Sequence, residues 1–109
     1  PYAFFLLLSL VERTPPVPMI ADPTFEIGRK YGVVDEDEGL ETRGRFIVDP
    51  DGIIRGYEVL NATVGRSLEE TFRQLQAFKF VRDTGKVTPA GWKPGEKGID
   101  PIIENAGKI

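Results

Sequence analysis

One segment, RFIVDPDGIIRGYEVL at residues 45–60, constrains the fold of this chain more than any other. Two runs rich in β-branched and aromatic residues flank the tetrapeptide Asp49-Pro50-Asp51-Gly52. These residue types favour a tight turn, because Pro presets its own φ, Gly tolerates a positive φ and Asp binds nearby backbone N–H groups. The segment therefore predicts a β-hairpin.

A first helix is expected before the hairpin. Asp22 can cap free backbone N–H groups, and Pro23 suits the first helical position. This helix should end at Gly32. Shorter features surround it: a buried strand or short helix at 3–10, a rigid connector at 14–18, a short buried strand at 19–21 and a solvated acidic loop at 35–38.

A second helix is expected after the hairpin. Ser67 and Glu70 form a capping box, in which the hydroxyl and the carboxylate each satisfy a free N–H group, and Gly85 is the expected end. Four apolar residues recur at helical spacing and predict an amphipathic face: Leu68, Phe72, Leu75 and Phe78. The order of all these elements is typical of an α/β or α+β fold with a mixed sheet.

Composition excludes several kinds of function. A chain of 109 residues is long enough for one domain and too short for two. It has no Cys and no His, which excludes disulfides, thiolate or imidazole metal sites and Ser-His-Asp triads. Lys plus Arg is 14 and Asp plus Glu is 17, so the net charge of −3 gives no reason to expect nucleic acid or membrane partners. No metal and no cofactor is predicted.

Two arginines and one tryptophan are candidate functional residues. Arg43 should share a strand face with Arg45 and Ile47, and it is either an anion anchor or a strand-end residue in contact with water. Arg66 precedes the second helix, where anions are favoured, and is a second anchor or a surface residue. Trp92 anchors the C-terminal segment on an apolar surface or docks it on a neighbouring copy of the chain.

Taken together, four segments resemble the C-terminal half of a peroxiredoxin of the alkyl hydroperoxide reductase (AhpC) type. They are PMIADPT at 18–24, YGVVDEDEGLETRGRFIVDPDGIIRGYEV at 31–59, VGRSLEETFRQLQAF at 64–78 and TPAGWKPGEKG at 88–98. The resemblance implies a thioredoxin-like α/β fold with a mixed sheet flanked by helices, incomplete in this chain. It divides the chain into a partial thioredoxin-like domain at 1–87, of which 1–17 match poorly, and an extended arm at 88–109.

The same resemblance implies reduction of hydrogen peroxide and organic hydroperoxides by a reactive cysteine in the cytoplasm. Arg43 occupies the position of the family's peroxide-binding arginine, and Arg66 that of its second arginine. The peroxidatic cysteine has no counterpart here, and Thr88 stands where two-cysteine members have their resolving cysteine. The resemblance then implies an enzyme of one-cysteine type or one with a resolving cysteine elsewhere. We therefore expect the chain to represent part of a longer protein. The alternative is a non-catalytic, cysteine-less binding or assembly module.

Partners are also implied by the resemblance. They are the hydroperoxide, a thioredoxin-like or flavoprotein reductant and a second copy of the chain. The dimer would pair the strand edges at 53–60, with Ile54, Tyr57, Val59 and Trp92 at the interface, and rings of dimers are common in this subgroup.

Overall fold

The computed structural model describes residues 17–107, which fall into two compact units, 17–44 and 45–107. The apolar segment at 3–10 and the first part of the connector lie outside the described residues. None of the helices formed by residues 17–107 is both long enough and apolar enough to cross a membrane.

The first unit contains a short helix and a small hairpin. Helix α1 spans Glu26–Lys30, and strands β1 (Val34–Asp35) and β2 (Leu40–Glu41) pair antiparallel, with Val34 opposite Glu41. The turn between the strands contains residues 36–38 of the predicted solvated acidic loop, and these are exposed as predicted, whereas Asp35 belongs to β1 and is half-buried.

Helix α1 begins later than the sequence predicts. Phe25, with a left-handed φ of 58°, immediately precedes the helix, so the helix does not start at Pro23. Asp22 still acts as a cap, because its carboxylate accepts hydrogen bonds from the N–H groups of Ile27 at 3.2 Å and Gly28 at 2.8 Å. Gly32, at φ 70°, lies just past the end of the helix, as predicted.

The short buried strand predicted at 19–21 is wrong. These three residues belong to no strand, and Met19 and Ile20 are exposed. Three apolar residues can form a buried strand only beside a neighbouring strand, and no described strand pairs with them.

The second unit starts with the predicted hairpin. Strands β3 (Gly44–Val48) and β4 (Ile54–Val59) are hydrogen-bonded neighbours. Gly52 adopts φ 81° and its N–H group donates to the Asp49 carbonyl at 3.0 Å, which closes the turn. The Asp49 carboxylate also accepts from the Ile53 N–H group at 3.0 Å. The turn chemistry expected from the sequence is therefore confirmed.

Helix α2 spans Leu68–Thr84 and has both predicted ends. The Ser67 hydroxyl accepts from the Glu70 N–H group at 3.2 Å, and Gly85, at φ 69°, donates to the Val81 carbonyl at 2.9 Å. The capping box is only half formed, because the Glu70 carboxylate binds side chains of the helix instead. The predicted amphipathic face is not buried within the described residues, since all four of its members are exposed: Leu68, Phe72, Leu75 and Phe78.

The segment after α2 folds back within the second unit. Val87 and Ile99 exchange two backbone hydrogen bonds of 2.9 and 2.8 Å, and a 3-10 helix follows at Ile103–Asn105. Among residues 17–107, the buried hydrophobic side chains are Ile47 on β3 and Trp92 in this segment. The described strands form two separate two-stranded sheets, so residues 17–107 do not by themselves make the predicted mixed sheet.

Candidate active site

Arg43 lies in the link between β2 and β3. The residue before it is held in place, because the N–H group and hydroxyl of Thr42 bind the Val33 carbonyl at 2.6 and 2.9 Å. The Arg43 side chain is exposed and makes no hydrogen bond or ion pair with any residue of 17–107. Its position is therefore fixed by the backbone, and its guanidinium is accessible.

Arg66 directly precedes Ser67, the N-cap of α2. It too is exposed and has no hydrogen-bonding or ionic partner within the described chain. Arg43 belongs to the first unit and Arg66 to the second. Both side chains are exposed, which agrees with the interpretation of each as a residue in contact with water. Their roles as catalytic anion anchors stay predictions.

Arg45 of β3 is enclosed between the hairpin and α2, and the sequence alone assigns it no role. Its side chain is 13% exposed; its guanidinium donates to the Thr71 hydroxyl and to Gln74 Oε1 at 3.0 Å, and lies 3.5 Å from a Glu58 carboxylate oxygen. The sequence contains a signal for this burial, because alternate residues of a strand share a face and Arg45 shares one with the buried Ile47. A charge on that face needs such partners.

Polar contacts continue across α2 from Arg45. Gln74 Nε2 donates to Glu70 at 2.9 Å, and Arg73 donates to both Glu70 oxygens at 2.7 and 2.8 Å. The remaining Arg73 amino group donates to the Trp92 carbonyl at 2.8 Å. Hydrogen bonds from Arg73 and then from Gln74 lower the pKa of Glu70 to about 2. The network ties β3, α2 and the C-terminal segment together.

Trp92 packs inside its own chain. It is 2% exposed, its ring centroid lies 5.1 Å from that of Phe80, and its Nε1 donates to the Glu96 carbonyl at 3.0 Å. This is the first of the two interpretations, an anchor on an apolar surface. A place for Trp92 at an interface between copies stays a prediction, and in the structure almost none of its surface is available to a partner.

The three other interface candidates lie on β4 and are exposed. Tyr57 is 74% exposed and stacks on Phe46 of β3, with ring centroids 6.1 Å apart. Ile54 and Val59 are each roughly half exposed. Thr88 follows Val87 and is half-buried. The three side chains on β4 are accessible for the predicted interface contacts, and those contacts stay predictions.

No cluster of three or more acidic side chains suited to a metal ion occurs within residues 17–107. A cavity of about 630 Å³ lies between β3 and α2, lined by apolar residues such as Ile47, Leu75 and Phe78. None of the predicted site residues of this unit is part of its lining.

Two family models match the chain. The AhpC/TSA family matches residues 10–57, and the C-terminal domain of 1-Cys peroxiredoxin matches residues 77–104. Together they include Arg43, Thr88 and Trp92, but neither includes Arg66.

Curated relatives match most of the chain. The selenocysteine-containing peroxiredoxin PrxU of Peptoclostridium acidaminophilum is 53% identical over 97 residues, which is 87% of this chain and 48% of that protein. Peroxiredoxin-1 of Gallus gallus is 44% identical over 90 residues, 83% of this chain and 45% of that protein. The chain thus spans about half the length of the curated relatives it matches.

Solved structures have the same fold. The reduced 2-Cys peroxiredoxin of Plasmodium vivax matches with a TM-score of 0.74 and 30% identity, over 78% of this chain and 44% of that one. Peroxiredoxin 6 of Arenicola marina, as a cysteine-to-serine mutant, matches with a TM-score of 0.73 and 32% identity, over 95% and 51%. AhpC of Enterococcus faecalis matches with a TM-score of 0.61 and 44% identity, over 65% and 43%. The thioredoxin-like fold class is therefore confirmed, as a partial fold.

Proposed function

Because the chain belongs to the peroxiredoxin family, as the C-terminal half of a member of the AhpC type, we propose that it supplies the arginines of a thiol peroxidase site. The reactive cysteine of that site lies on polypeptide outside this chain, since the chain has no Cys. The substrates are hydrogen peroxide and organic hydroperoxides, and the enzyme acts in the cytoplasm.

One observation carries the proposal. Five other described arginines, namely 29, 45, 55, 73 and 82, are paired with carboxylates. Arg43 and Arg66 are the two without a hydrogen bond or ion pair among residues 17–107. An arginine without an internal partner retains all its donors for an external anion. By resemblance, these two positions correspond to those at which the family keeps its functional arginines.

The chemistry needs a guanidinium at two stages. Before reaction, a nearby positive charge favours the thiolate and lowers the thiol pKa. During reaction, the thiolate attacks the terminal peroxide oxygen, which stays on the sulfur as a sulfenic acid. The O–O bond breaks, and the leaving hydroxide or alkoxide takes up a proton from solvent and departs as water or an alcohol. Guanidinium donors stabilise the negative charge that develops on the leaving oxygen.

Thr88 bears on how the sulfenic acid is reduced. A hydroxyl cannot form a disulfide with it, so we propose an enzyme of one-cysteine type, reduced by a thioredoxin-like or flavoprotein partner. The match of residues 77–104 to the C-terminal domain of 1-Cys peroxiredoxin supports this. We further propose a homodimer that pairs the exposed β4 edges, with a ring of dimers as an extension of it.

A chimera tests the catalytic proposal. Residues 18–107 replace the aligned part of Peroxiredoxin-1 of Gallus gallus, whose remaining sequence provides the other half of the fold. We expect the chimera to consume peroxide. Arg43→Gln should lower its rate constant by about 100-fold, as removal of one oxyanion donor does, and should raise the pKa of the reactive thiol.

Arg55→Gln is the matched control, because Arg55 is an exposed arginine already paired with Asp49 at 2.7 Å. It should leave the rate unchanged. An Arg43→Gln chimera that keeps the full rate would overturn the proposed role of this arginine.

A second function, a non-catalytic assembly module, is favoured by a different observation. Tyr57, Leu68 and Phe72 are large apolar residues that are more than half exposed. Such residues gain by association with another polypeptide. If this is the function, the chimera folds and assembles but consumes no peroxide.

A further inference from the structure

Two carboxyl groups converge on one glycine in the first unit. The Asp22 carboxylate accepts a hydrogen bond of 2.8 Å from the Gly28 N–H group of α1. The Glu41 carboxyl of β2 lies so close that a Cβ atom at position 28 would be 2.3 Å from Glu41 Oε1. Asp22 and Glu41 are within hydrogen-bond reach of each other. One acid comes from the segment before α1 and the other from the hairpin after it.

The local packing makes this approach close. Gly28 is the buried residue of α1, and a Cβ there would also lie 2.9 Å from a methyl group of Val34 on β1. The absence of a side chain therefore lets the hairpin sit directly against the helix. Val34 pairs with Glu41 in the ladder, so the same register places the Glu41 carboxyl over Gly28.

A hydrogen bond between two carboxyl groups requires one proton, which the two groups share. A protonated carboxyl donates to a carboxylate, whereas two carboxylates repel each other. The hydrogen bond to Asp22 raises the pKa of Glu41 above 4.5. The pKa of Asp22 is lowered below 3.8, mainly by the hydrogen bond from the Gly28 N–H group. Glu41 is therefore the group that holds the shared proton.

We propose that Asp22 and Glu41 form a proton-dependent clamp that fixes the β1–β2 hairpin on α1. The clamp is closed when the pair carries one proton and open when both groups are ionised. It goes beyond the proposed peroxidase function and stands on the first unit alone.

Other charges around the pair are already engaged. The charge of Arg29 on α1 attracts Asp22, but its guanidinium donates hydrogen bonds to Glu36 at 2.6 Å and to the Thr24 carbonyl at 3.0 Å. Asp35 of β1 accepts from N–H groups of the acidic turn, and Lys30 lies 3.5 Å from Glu26. Among the described residues, Asp22 is the charged group that raises the pKa of Glu41.

The clamp has a direct consequence for Arg43. Glu41 is followed by Thr42, which binds the Val33 carbonyl, and then by Arg43. When the pair loses its shared proton, the end of β2 is less firmly held, and the backbone that positions Arg43 gains freedom. Acid should thus order the segment 40–43, and neutral pH should loosen it.

The test is an NMR titration of the complete 109-residue chain from about pH 3 to pH 7, which covers the ordinary carboxyl range. We expect the Glu41 carboxyl to titrate above 4.5, its ordinary value. The backbone amides of Gly28 and Arg43 should shift with the same midpoint. In Glu41→Gln, a neutral side chain that can still donate to Asp22, that shared transition should disappear.

Two further variants complete the test. Asp22→Asn should return the Glu41 midpoint to its ordinary range, because an amide does not repel the carboxylate. Glu38→Gln, an exposed glutamate of the same hairpin, should change neither midpoint. A Glu41 midpoint at the ordinary value in the unaltered chain, or a transition of Gly28 and Arg43 that survives in Glu41→Gln, would overturn the clamp. Neither outcome depends on whether the chain serves a peroxidase.

Discussion

At the scale of the residue, Arg45 links the hairpin to the helix. Its guanidinium joins Thr71 and Gln74 of α2 and faces Glu58 of β4. Two atoms of this group, Arg45 Nε and Glu58 Oε2, are shielded from solvent and have no hydrogen-bond partner in the described structure. The ion pair is therefore sensitive to loss of either member, because the other would stay enclosed with an uncompensated charge.

Arg45→Met should lower the free energy of unfolding by about 2 kcal/mol, the cost of leaving a half-buried carboxylate unpaired together with lost charged hydrogen bonds. Urea denaturation measures this value. Arg43→Met is the matched control and should change stability by less than about 0.5 kcal/mol, because its side chain is exposed. The double variant with Glu58→Met should recover much of the loss; failure to recover would contradict the ion-pair explanation.

At the scale of the element, α2 is joined to the C-terminal segment by Glu70 and Arg73. The carboxylate orients Arg73, and Arg73 binds the Trp92 carbonyl. The pKa of Glu70 falls from 4.5 to about 2 through these bonds, so the folded state favours the ionised form. A lowered pKa adds stability above pH 4.5, and that stability is lost as the pH falls from there through about 2.

Glu70→Gln should therefore flatten the acid side of the stability curve between pH 4.5 and about 2. Thermal melts at a series of pH values measure the effect. The adjacent, exposed Glu69 gives a control, and Glu69→Gln should keep the slope of the unaltered chain. Equal slopes for Glu70→Gln and the unaltered chain would show that, in solution, the hydrogen bonds from Arg73 and Gln74 do not stabilise the ionised form of Glu70.

At the scale of the whole molecule, large apolar residues stay exposed on β4 and α2. The hairpin is covered by α2 on the face of Arg45 and Ile47, while Val48, Tyr57 and Val59 remain accessible. The chain also spans about half the length of its curated relatives. An uncovered sheet surface of this kind favours association with another polypeptide.

If β4 forms the proposed dimer edge, Tyr57→Arg should shift the chain toward monomer, since a charge placed at the centre of an interface is costly. Sedimentation velocity measures the change in mass. Ile103→Arg is the matched control, because Ile103 is 91% exposed but lies far along the chain from β4. Identical sedimentation of Tyr57→Arg and the unaltered chain would contradict an interface at this strand.

Local chemistry in the sequence determined the hairpin, the ends of α2 and the position of Gly32, because turns and caps depend on residues a few positions apart. It also determined which family the chain belongs to, since four ordered segments carry that pattern. Only the tertiary structure decided that Arg45 rather than Arg43 is enclosed, and that Trp92 packs on Phe80. Those outcomes depend on contacts between residues that are distant in the chain, and periodicity along a strand or helix does not specify which partner a side chain meets.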